Sequence, residues 1–192
     1  MSQPTEVLKQ HLEKEKDKMF RIAWKMCGNP EDAQDILQET ALKALRSWHQ
    51  FRGESQISTW LYRIASNTCL SRQRKKSLEF VDPSILEGLP HDPESSMMPQ
   101  LLDWSGDPLT KALNDELRAK LDQAILKLPE LYRMVFIMRD VEGMSGEHTA
   151  KTLGISLTNV KVRLHRARMF LRNELEQYVT GFKTSKTTGQ AQ

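Results

Sequence analysis

The stretch MSGEHTAKTLGISLTNVKVRLHRARMFLR, residues 144–172, decides the fold of this chain. It predicts two helices joined by a tight turn. Ala150, Gly154 and Val160 stand where a helix-turn-helix needs a small residue, a turn residue tolerant of positive φ and an apolar plug. An apolar stripe at helical spacing continues from Val160 and should pack the second helix onto the domain. It consists of Val160, Leu164, Ala167 and Leu171.

The faces of the second helix outside this stripe are largely basic. They carry Lys161, Val162, His165, Arg166, Met169 and Arg172. A basic face on an amphipathic helix is usually just solvated. The Ala/Gly/Val spacing directly before this one favours contact with the phosphate-lined groove of duplex DNA instead.

Charge divides the chain into three parts. Residues 1–78 and residues 111–192 each carry 14 basic and 9 acidic residues, whereas residues 79–110 carry 7 acidic residues and no basic ones. The middle part also holds five of the eight prolines, which predicts an irregular, flexible linker. Two basic lobes joined by an acidic linker indicate two contacts with one polyanion.

Both lobes show helical periodicity and no strand-like alternation, so we predict an all-α protein built from two small helical domains. The first helix of the N-terminal lobe should break at Cys27-Gly28. Asn29-Pro30-Glu31-Asp32 then supplies an N-cap, a proline at the first helical position and two acids at the positive end of the helix dipole. The second helix leaves a mostly acidic face opposite its apolar side. This face consists of Asp35, Gln38, Glu39 and Leu42.

A third helix is predicted from Ser58, as the cap, through TWLYRIASNTCLSRQRKK. One stripe of this helix combines an aromatic ring, an amide and cations, which suits unstacked bases beside a phosphate backbone. Alternatively, the aromatic ring belongs to the core and the cations form a solvated helix end. The residues alone leave both interpretations open. The stripe consists of Trp60, Arg63, Asn67, Ser71 and Arg74.

Several other classes of protein are not expected. The longest apolar run is only Met134 to Met138 and the N-terminus is polar, so we expect no membrane span, no signal peptide and a cytoplasmic protein. Cys27 and Cys69 show no metal-ligand spacing and should be reduced thiols. A Walker loop, a zinc-spaced His/Cys set and paired carboxylates are all missing, so we expect no enzyme, no cofactor and no metal.

Three passages together resemble one protein family. NPEDAQDILQETALKAL, FRGESQISTWLYRIASN and LGISLTNVKVRLHRAR, in this order, are similar to the extracytoplasmic-function (ECF) sigma factors. These are the minimal members of the sigma-70 family of bacterial transcription initiation factors. The resemblance implies a sigma-two domain in residues 1–78 and a sigma-four domain in residues 111–178, on either side of the linker in 79–110. The polar composition of residues 179–192 predicts a disordered tail.

The resemblance also assigns roles to residues of the N-terminal lobe. Asp35, Gln38, Glu39 and Leu42 match the helix that binds the clamp coiled coil of core RNA polymerase. Phe51 and Asn67 match the pocket for a base flipped out of the −10 promoter element. The loop from Gly53 to Ser58 lies over that pocket. The remaining −10 DNA residues are Trp60, Arg63 and Arg74.

In the C-terminal lobe, the resemblance assigns −35 DNA to Asn159, Lys161, Val162, His165 and Arg166, and the polymerase flap to the helix that includes Pro129 to Arg139. Arg163 and Arg168 match positions that contact the DNA backbone or pack. The chain departs from the family at Thr149, where an aliphatic residue is usual, at Asn159 in place of Thr, and at Val162 in place of a small polar residue. Val162 can touch a thymine methyl group but donates no hydrogen bond, so the −35 sequence cannot be copied from a relative.

One alternative function, one further partner and two roles for the linker remain open. A free-standing helix-turn-helix regulator would bind duplex DNA specifically without polymerase and would have no use for Phe51 or Asn67. An anti-sigma factor, if one restrains this protein, should be a separate chain. The acidic linker either binds the basic channel that nascent RNA later occupies or serves as a solvated tether.

Overall fold

The computed structural model describes residues 4–76 and 108–187, with the side chains of residues 6–74 and 116–176. These two ranges are helical and contain no strand, which confirms the predicted all-α fold. None of the described helices is both long and apolar enough to cross a membrane. The helices are α1 (Pro4–Cys27), α2 (Pro30–Ser47), α3 (Ile57–Lys76), α4 (Pro108–Lys127), α5 (Glu130–Phe136), α6 (Gly146–Leu153) and α7 (Leu157–Thr187), with a 3-10 turn at Trp48–Gln50 and a π-helical turn at Ile137–Val141.

The turn between α1 and α2 follows its sequence signals closely. Gly28 adopts φ +78° and its N–H donates to the Trp24 carbonyl at 2.7 Å, which ends α1. Asn29 caps α2, because its side-chain oxygen accepts the N–H of Asp32 at 2.8 Å, and Pro30 occupies the first helical position. This turn makes α1 and α2 neighbours, and α3 packs against both. The N-terminal lobe is therefore a three-helix bundle around Met19, Ile22, Met26, Ile36 and Leu61.

In the C-terminal lobe, α4, α5 and α6 all pack against the long helix α7. The predicted helix-turn-helix is α6 followed by α7. Gly154 adopts the left-handed conformation at φ +66°, and Val160 is buried at the contact between the two helices. All four residues of the predicted stripe are buried. The stripe was readable because its members share one helix and one face.

Three helix boundaries and the burial of one residue differ from the sequence predictions. Helix α3 begins at Ile57, so Ser58 lies inside the helix instead of capping it. Helix α4 begins at Pro108, within the predicted linker, because proline fits the first helical turn. Helix α7 continues to Thr187, past the predicted start of a disordered tail at 179, because propagation adds one hydrogen bond per residue and tolerates one glycine, Gly181. Thr40 is also buried within α2, although threonine is not an apolar residue that would predict the packed side of this helix.

The two lobes pack against each other, a feature that the sequence did not predict. Arg21 on α1 forms a two-pronged ion pair with Glu142, with nitrogen–oxygen distances of 2.9 and 2.8 Å. The Lys18 ammonium donates to the Glu142 carbonyl at 3.3 Å, and Arg133 donates to the Met26 carbonyl at 2.8 Å. The described parts of the chain therefore adopt a closed arrangement. The predicted linker through residue 107 lies outside the described residues, as do residues 188–192.

Candidate nucleic-acid and polymerase interfaces

The first turns of α7 present the predicted −35 residues. Ser156 caps the helix by accepting the N–H of Asn159 at 3.1 Å. Asn159 and Lys161 are exposed, and Val162 and Arg166 are half-buried. The N-terminal part of a recognition helix is the part that reaches base edges in the major groove. The structure therefore brings four of the five predicted −35 residues to the accessible start of α7.

His165 was predicted to be exposed, but only 8% of its surface is accessible. The four-residue stripe had left it outside the packed face. Since α7 is flanked by α4, α5 and α6, it is covered over a wider arc than one apolar stripe indicates. Arg168 is also engaged within the protein, in a two-pronged ion pair with Asp140 at 2.8 and 2.7 Å. A packing role therefore explains Arg168 in this arrangement.

Thr149, where the family usually has an aliphatic residue, is fully buried in α6. Its hydroxyl donates to the Ser145 carbonyl at 2.9 Å. This bond satisfies the polar atom locally, so threonine fills an apolar position without leaving a buried hydroxyl unpaired. The departure from the family pattern therefore leaves the helix-turn-helix intact.

Three aromatic rings form a cluster at the start of α3, which we call the aromatic cluster: Trp48, Phe51 and Trp60. The rings of Trp48 and Phe51 stack at a centroid distance of 5.3 Å and an interplanar angle of 11°. The ring centroid of Trp60 lies 5.8 Å from that of Trp48 and 5.4 Å from that of Phe51. All three side chains are half-buried. Trp60 thus combines the two interpretations left open by its sequence, because it packs against the core and keeps part of its surface accessible.

The other predicted −10 residues lie along α3. Asn67 and Arg74 are exposed. Arg63 is also exposed, but its guanidinium donates to the Lys151 carbonyl of α6 at 2.6 Å, so the C-terminal lobe occupies it. Arg72, in the basic run RQRKK at the end of α3, pairs with Asp35 at 2.7 Å and Asp32 at 3.3 Å. These two ion pairs link the first half of α2 to the end of α3.

Phe51 also lines a cavity of about 460 Å³ between α1 and the 53–58 segment. Three α1 residues complete its wall: His11, Lys14 and Glu15. Sequence reasoning missed these residues because the cavity forms only when α1 packs beside the 53–58 segment. Their spacing of three and four was the available signal, since it places them on one face of the helix.

The acidic face of α2 is accessible as predicted. Asp35, Gln38, Glu39 and Leu42 are all exposed. Lys43 pairs with Glu39 at 2.7 Å, one helical turn away. Leu42 is 53% exposed. An apolar residue flanked by acids and an amide offers a contact for a protein partner.

The predicted flap helix corresponds to α5 and the π-helical turn after it. Its residues Met134, Val135, Ile137 and Met138 are fully buried. Arg133 is buried as well, and its guanidinium donates to the carbonyls of Leu126, Leu128 and Met26. Burial lowers the pKa of Arg133, although a guanidinium stays charged. In the closed arrangement this segment is chiefly a packing element.

His148 of α6 lies at the contact between the lobes. Its Nε2 is hydrogen-bonded to the Thr59 hydroxyl at 3.0 Å, and its ring meets the edge of the Tyr62 ring at 5.9 Å. Burial lowers the pKa of His148, with further lowering by Lys18 and Lys151 and an opposing effect of Glu15. The contact therefore favours a neutral imidazole.

Comparison with known proteins identifies both lobes. Residues 12–79 match the family model for sigma-70 region 2, and residues 118–171 match that for sigma-70 region 4. The chain is 34% identical over 163 residues to the ECF RNA polymerase sigma factor SigW of Bacillus subtilis, covering 83% of this chain and 84% of SigW. It is 35% identical over 146 residues to the RNA polymerase sigma factor YlaC of the same organism, covering 76% of this chain and 78% of YlaC.

Two solved structures share the fold. One is the sigma factor RpoE of Bartonella quintana in complex with the anti-sigma factor NepR, with a TM-score of 0.60, 24% identity and coverage of 88% of this chain and 96% of that one. The other is CnrH in complex with the cytosolic domain of CnrY, with a TM-score of 0.62, 21% identity and coverage of 90% of each chain. With two matched regions in the expected order and relatives above 30% identity over most of their length, the chain belongs to the ECF sigma factors of the sigma-70 family.

Proposed function

We propose that this transcription initiation factor directs RNA polymerase by holding the −35 duplex with α7 and the melted −10 strand with the aromatic cluster and α3. The observation that carries the proposal is the α6–α7 turn. Gly154 and Val160 seat α7 so that Asn159 and Lys161 stay exposed at its start. Lys161 supplies charge for phosphate, and Val162 and Arg166 supply contacts for base edges. The chain itself contributes no catalytic step in this proposal.

The −10 contact is supported by the aromatic cluster. Extruding a base from duplex DNA costs a few kcal/mol, which stacking and edge hydrogen bonds must offset. Phe51 and Trp60 are half-buried, so each ring is fixed by packing and still has accessible surface. Asn67 adds an amide that donates and accepts, and Arg63 and Arg74 add charge for the backbone. We expect a flipped base to enter the cavity beside Phe51; Asn67 is not among the residues that line this cavity.

Polymerase binding is assigned to two surfaces. The exposed α2 face formed by Asp35, Gln38, Glu39 and Leu42 would dock on the clamp coiled coil, with Leu42 as its apolar anchor. The segment from Pro129 to Arg139 would meet the flap. We place the domain limits at 1–78 and 111–178, which include all of the matched region 118–171 and all but the last residue of the matched region 12–79. Because core polymerase and chromosomal DNA are in the cytoplasm, we expect the protein to act there.

Promoter binding requires the closed arrangement to open. Elements centred near −35 and −10 lie about 25 base pairs apart, or about 85 Å of duplex at 3.4 Å per base pair. Lobes in direct contact cannot reach both. Arg63 shows the conflict most directly, since its guanidinium is bound to Lys151 of the other lobe. We propose that polymerase, by binding each lobe separately, draws the lobes apart.

A separate anti-sigma protein is the proposed restraint. One structural neighbour was solved in complex with an anti-sigma factor, NepR, and another in complex with the cytosolic domain of a second protein, CnrY, which supports a partner of this kind. Such a partner would stabilise the closed arrangement. Co-expression of the full chain with candidate partners encoded beside its gene, followed by co-purification and a test of polymerase displacement, examines this proposal.

Run-off transcription with core polymerase on a genomic promoter library tests the main proposal. We expect transcripts from a defined promoter set only when the chain is present, and poor duplex binding by the isolated chain. Tight, sequence-specific duplex binding without polymerase would favour a free-standing regulator instead.

The clamp surface is tested separately by the double change Asp35→Arg with Glu39→Arg. Both side chains are exposed, so helical content should be retained while co-purification with core polymerase is lost. Glu31→Arg, also exposed on α2 but outside the proposed surface, is the matched control. Unchanged co-purification of the double variant would contradict the clamp assignment.

A further inference from the structure

The cavity beside Phe51 contains one feature that stacking and packing do not explain. Among the residues that line it, Glu15 is the only carboxylate. A negative charge is unexpected in a site that should receive part of a polyanion, because DNA phosphates repel it. Its neighbours offset part of the charge, since Lys14 also lines the cavity and Lys18 lies one turn further along α1. The α1 wall of the cavity therefore presents one acidic and one basic side chain.

A hydrogen bond from Tyr62 fixes the Glu15 carboxylate. The buried Tyr62 hydroxyl donates to Oε2 of Glu15. Burial and the Glu15 carboxylate both raise the pKa of Tyr62, so its hydroxyl remains a donor throughout the physiological range. This bond uses one carboxylate oxygen. The second oxygen, Oε1, remains an acceptor on a side chain that lines the cavity.

An ionised carboxylate only accepts hydrogen bonds, and this distinguishes the four bases. Adenine, cytosine and guanine each carry an exocyclic amino group, a donor that it can bind. Thymine carries none, and its single ring N–H lies between two carbonyl oxygens that a carboxylate repels. Lys14 can donate to the ring nitrogen beside the amino group of adenine or cytosine. Donor and acceptor in the cavity thus match the edge of an amino-bearing base.

We infer that Glu15 is a specificity-determining residue, which binds the exocyclic amino group of the base captured in the cavity and excludes thymine. The inference rests on the proposed function of the cavity as the −10 base site. Glu15 contacts the captured base directly, whereas Tyr62 is a positioning residue that fixes the carboxylate. A purely structural role for Glu15, as the acceptor for Tyr62, predicts no effect on base preference.

The variant Glu15→Gln separates these two roles. Glutamine keeps the shape and an amide oxygen that can accept from Tyr62, but its NH₂ group can donate to a thymine carbonyl. Glu13→Gln is the matched control, because it makes the same change on α1 at a side chain that is 77% exposed. Tyr62→Phe is the second variant, since it removes the bond that positions Glu15.

The experiment uses holoenzyme, reconstituted from core polymerase and the full chain, on a pre-melted promoter taken from the run-off selection. Each position of the melted non-template −10 strand is changed to all four bases, and dissociation constants are measured by fluorescence anisotropy. At one position the wild type should bind the best amino-bearing base about tenfold more tightly than thymine, the effect of one charge-assisted hydrogen bond. Glu15→Gln should reduce this ratio to about twofold or less, and Tyr62→Phe should reduce it partly.

The remaining outcomes are decisive. Unchanged base preference in Glu15→Gln, an equal loss for all four bases, the same change in Glu13→Gln, or no discrimination against thymine by the wild type would each overturn the inference. The variant Phe51→Ala distinguishes a failure of the Glu15 inference from a failure of the proposed function. If Phe51→Ala weakens binding to the melted strand while Glu15→Gln keeps its preference, only the role of Glu15 fails. If Phe51→Ala also has no effect, the cavity is not the −10 base site.

Discussion

Replacing Arg133 by methionine should destabilise the protein and loosen the contact between its lobes. The guanidinium donates to the Met26 carbonyl of the N-terminal lobe and to the Leu126 and Leu128 carbonyls at the end of α4. Carbonyls in the last turn of a helix have no partner within the helix, so Arg133 supplies donors that α4 cannot. Methionine matches the length of the apolar stem and offers none.

The magnitude follows from the three carbonyls. Met26 retains a second donor, because the Gln73 amide reaches its carbonyl at 3.0 Å, so its loss is small. Leu126 and Leu128 lose a charged donor, at about 1–3 kcal/mol each. Releasing a guanidinium that is only 5% exposed recovers part of its desolvation cost. We expect a net loss of about 2–4 kcal/mol, a large share of the 5–15 kcal/mol that is typical of folded domains.

Urea denaturation followed by circular dichroism measures this loss, and small-angle scattering measures the separation of the lobes. Arg46→Met is the control, since Arg46 is an exposed arginine in the last turn of α2 and should change stability little. Arg133→Lys should be intermediate, because an ammonium lacks the planar fork that reaches several carbonyls. A loss below about 1 kcal/mol in Arg133→Met, with an unchanged radius of gyration, would refute the reasoning.

Three further predictions concern the contact between the lobes and the DNA readout. Glu142→Gln should weaken the ion pair with Arg21 and increase the radius of gyration, and an unchanged radius would show that closure does not depend on this pair. The contribution of His148 to closure should be fully present above about pH 6.5 and be lost as the pH falls, because the pKa of His148 is lowered in the closed arrangement and returns to its ordinary value when the lobes open. Small-angle scattering as a function of pH measures this, and His148→Gln should flatten the profile. Arg166→Ala should relax preference at one or two −35 positions, whereas Arg172→Ala should weaken all promoters about equally or have no effect; identical sequence preferences for wild type and Arg166→Ala in a binding selection would remove Arg166 from the readout.

The features that sequence predicted correctly are local ones. The Asn29 cap, the left-handed Gly154 and the buried stripe from Val160 each depend on residues within a few positions of one another. Their geometry is set by backbone hydrogen bonding and helical periodicity, which the sequence encodes directly. The exposed face of α2 was predictable for the same reason.

The features that sequence missed depend on how distant helices pack. His165 lies outside the apolar stripe and is nevertheless buried, because α7 has neighbours on several sides. Arg72 belongs to a basic run and nevertheless pairs with Asp35, 37 positions earlier. Glu15 had no significance until α1 and the 53–58 segment enclosed a cavity. A single sequence gives the period of each helix but not the partner of each face.

The strength of closure follows from the kind of contact that holds the lobes. Arg63 is exposed, so its bond to the Lys151 carbonyl contributes at most about 1 kcal/mol. The Arg21–Glu142 pair contributes more, about 1–3 kcal/mol, because the Glu142 side chain is only 3% exposed. The buried Arg133 adds a bond to the Met26 carbonyl, which keeps a second donor in Gln73. Shifting a two-state equilibrium from 99:1 closed to 99:1 open requires about 5.5 kcal/mol of differential binding. A partner with nanomolar affinity supplies about 12 kcal/mol. Polymerase contacts on both lobes can therefore open the protein, whereas a single DNA element bound weakly by one lobe cannot, and this difference makes promoter binding depend on polymerase.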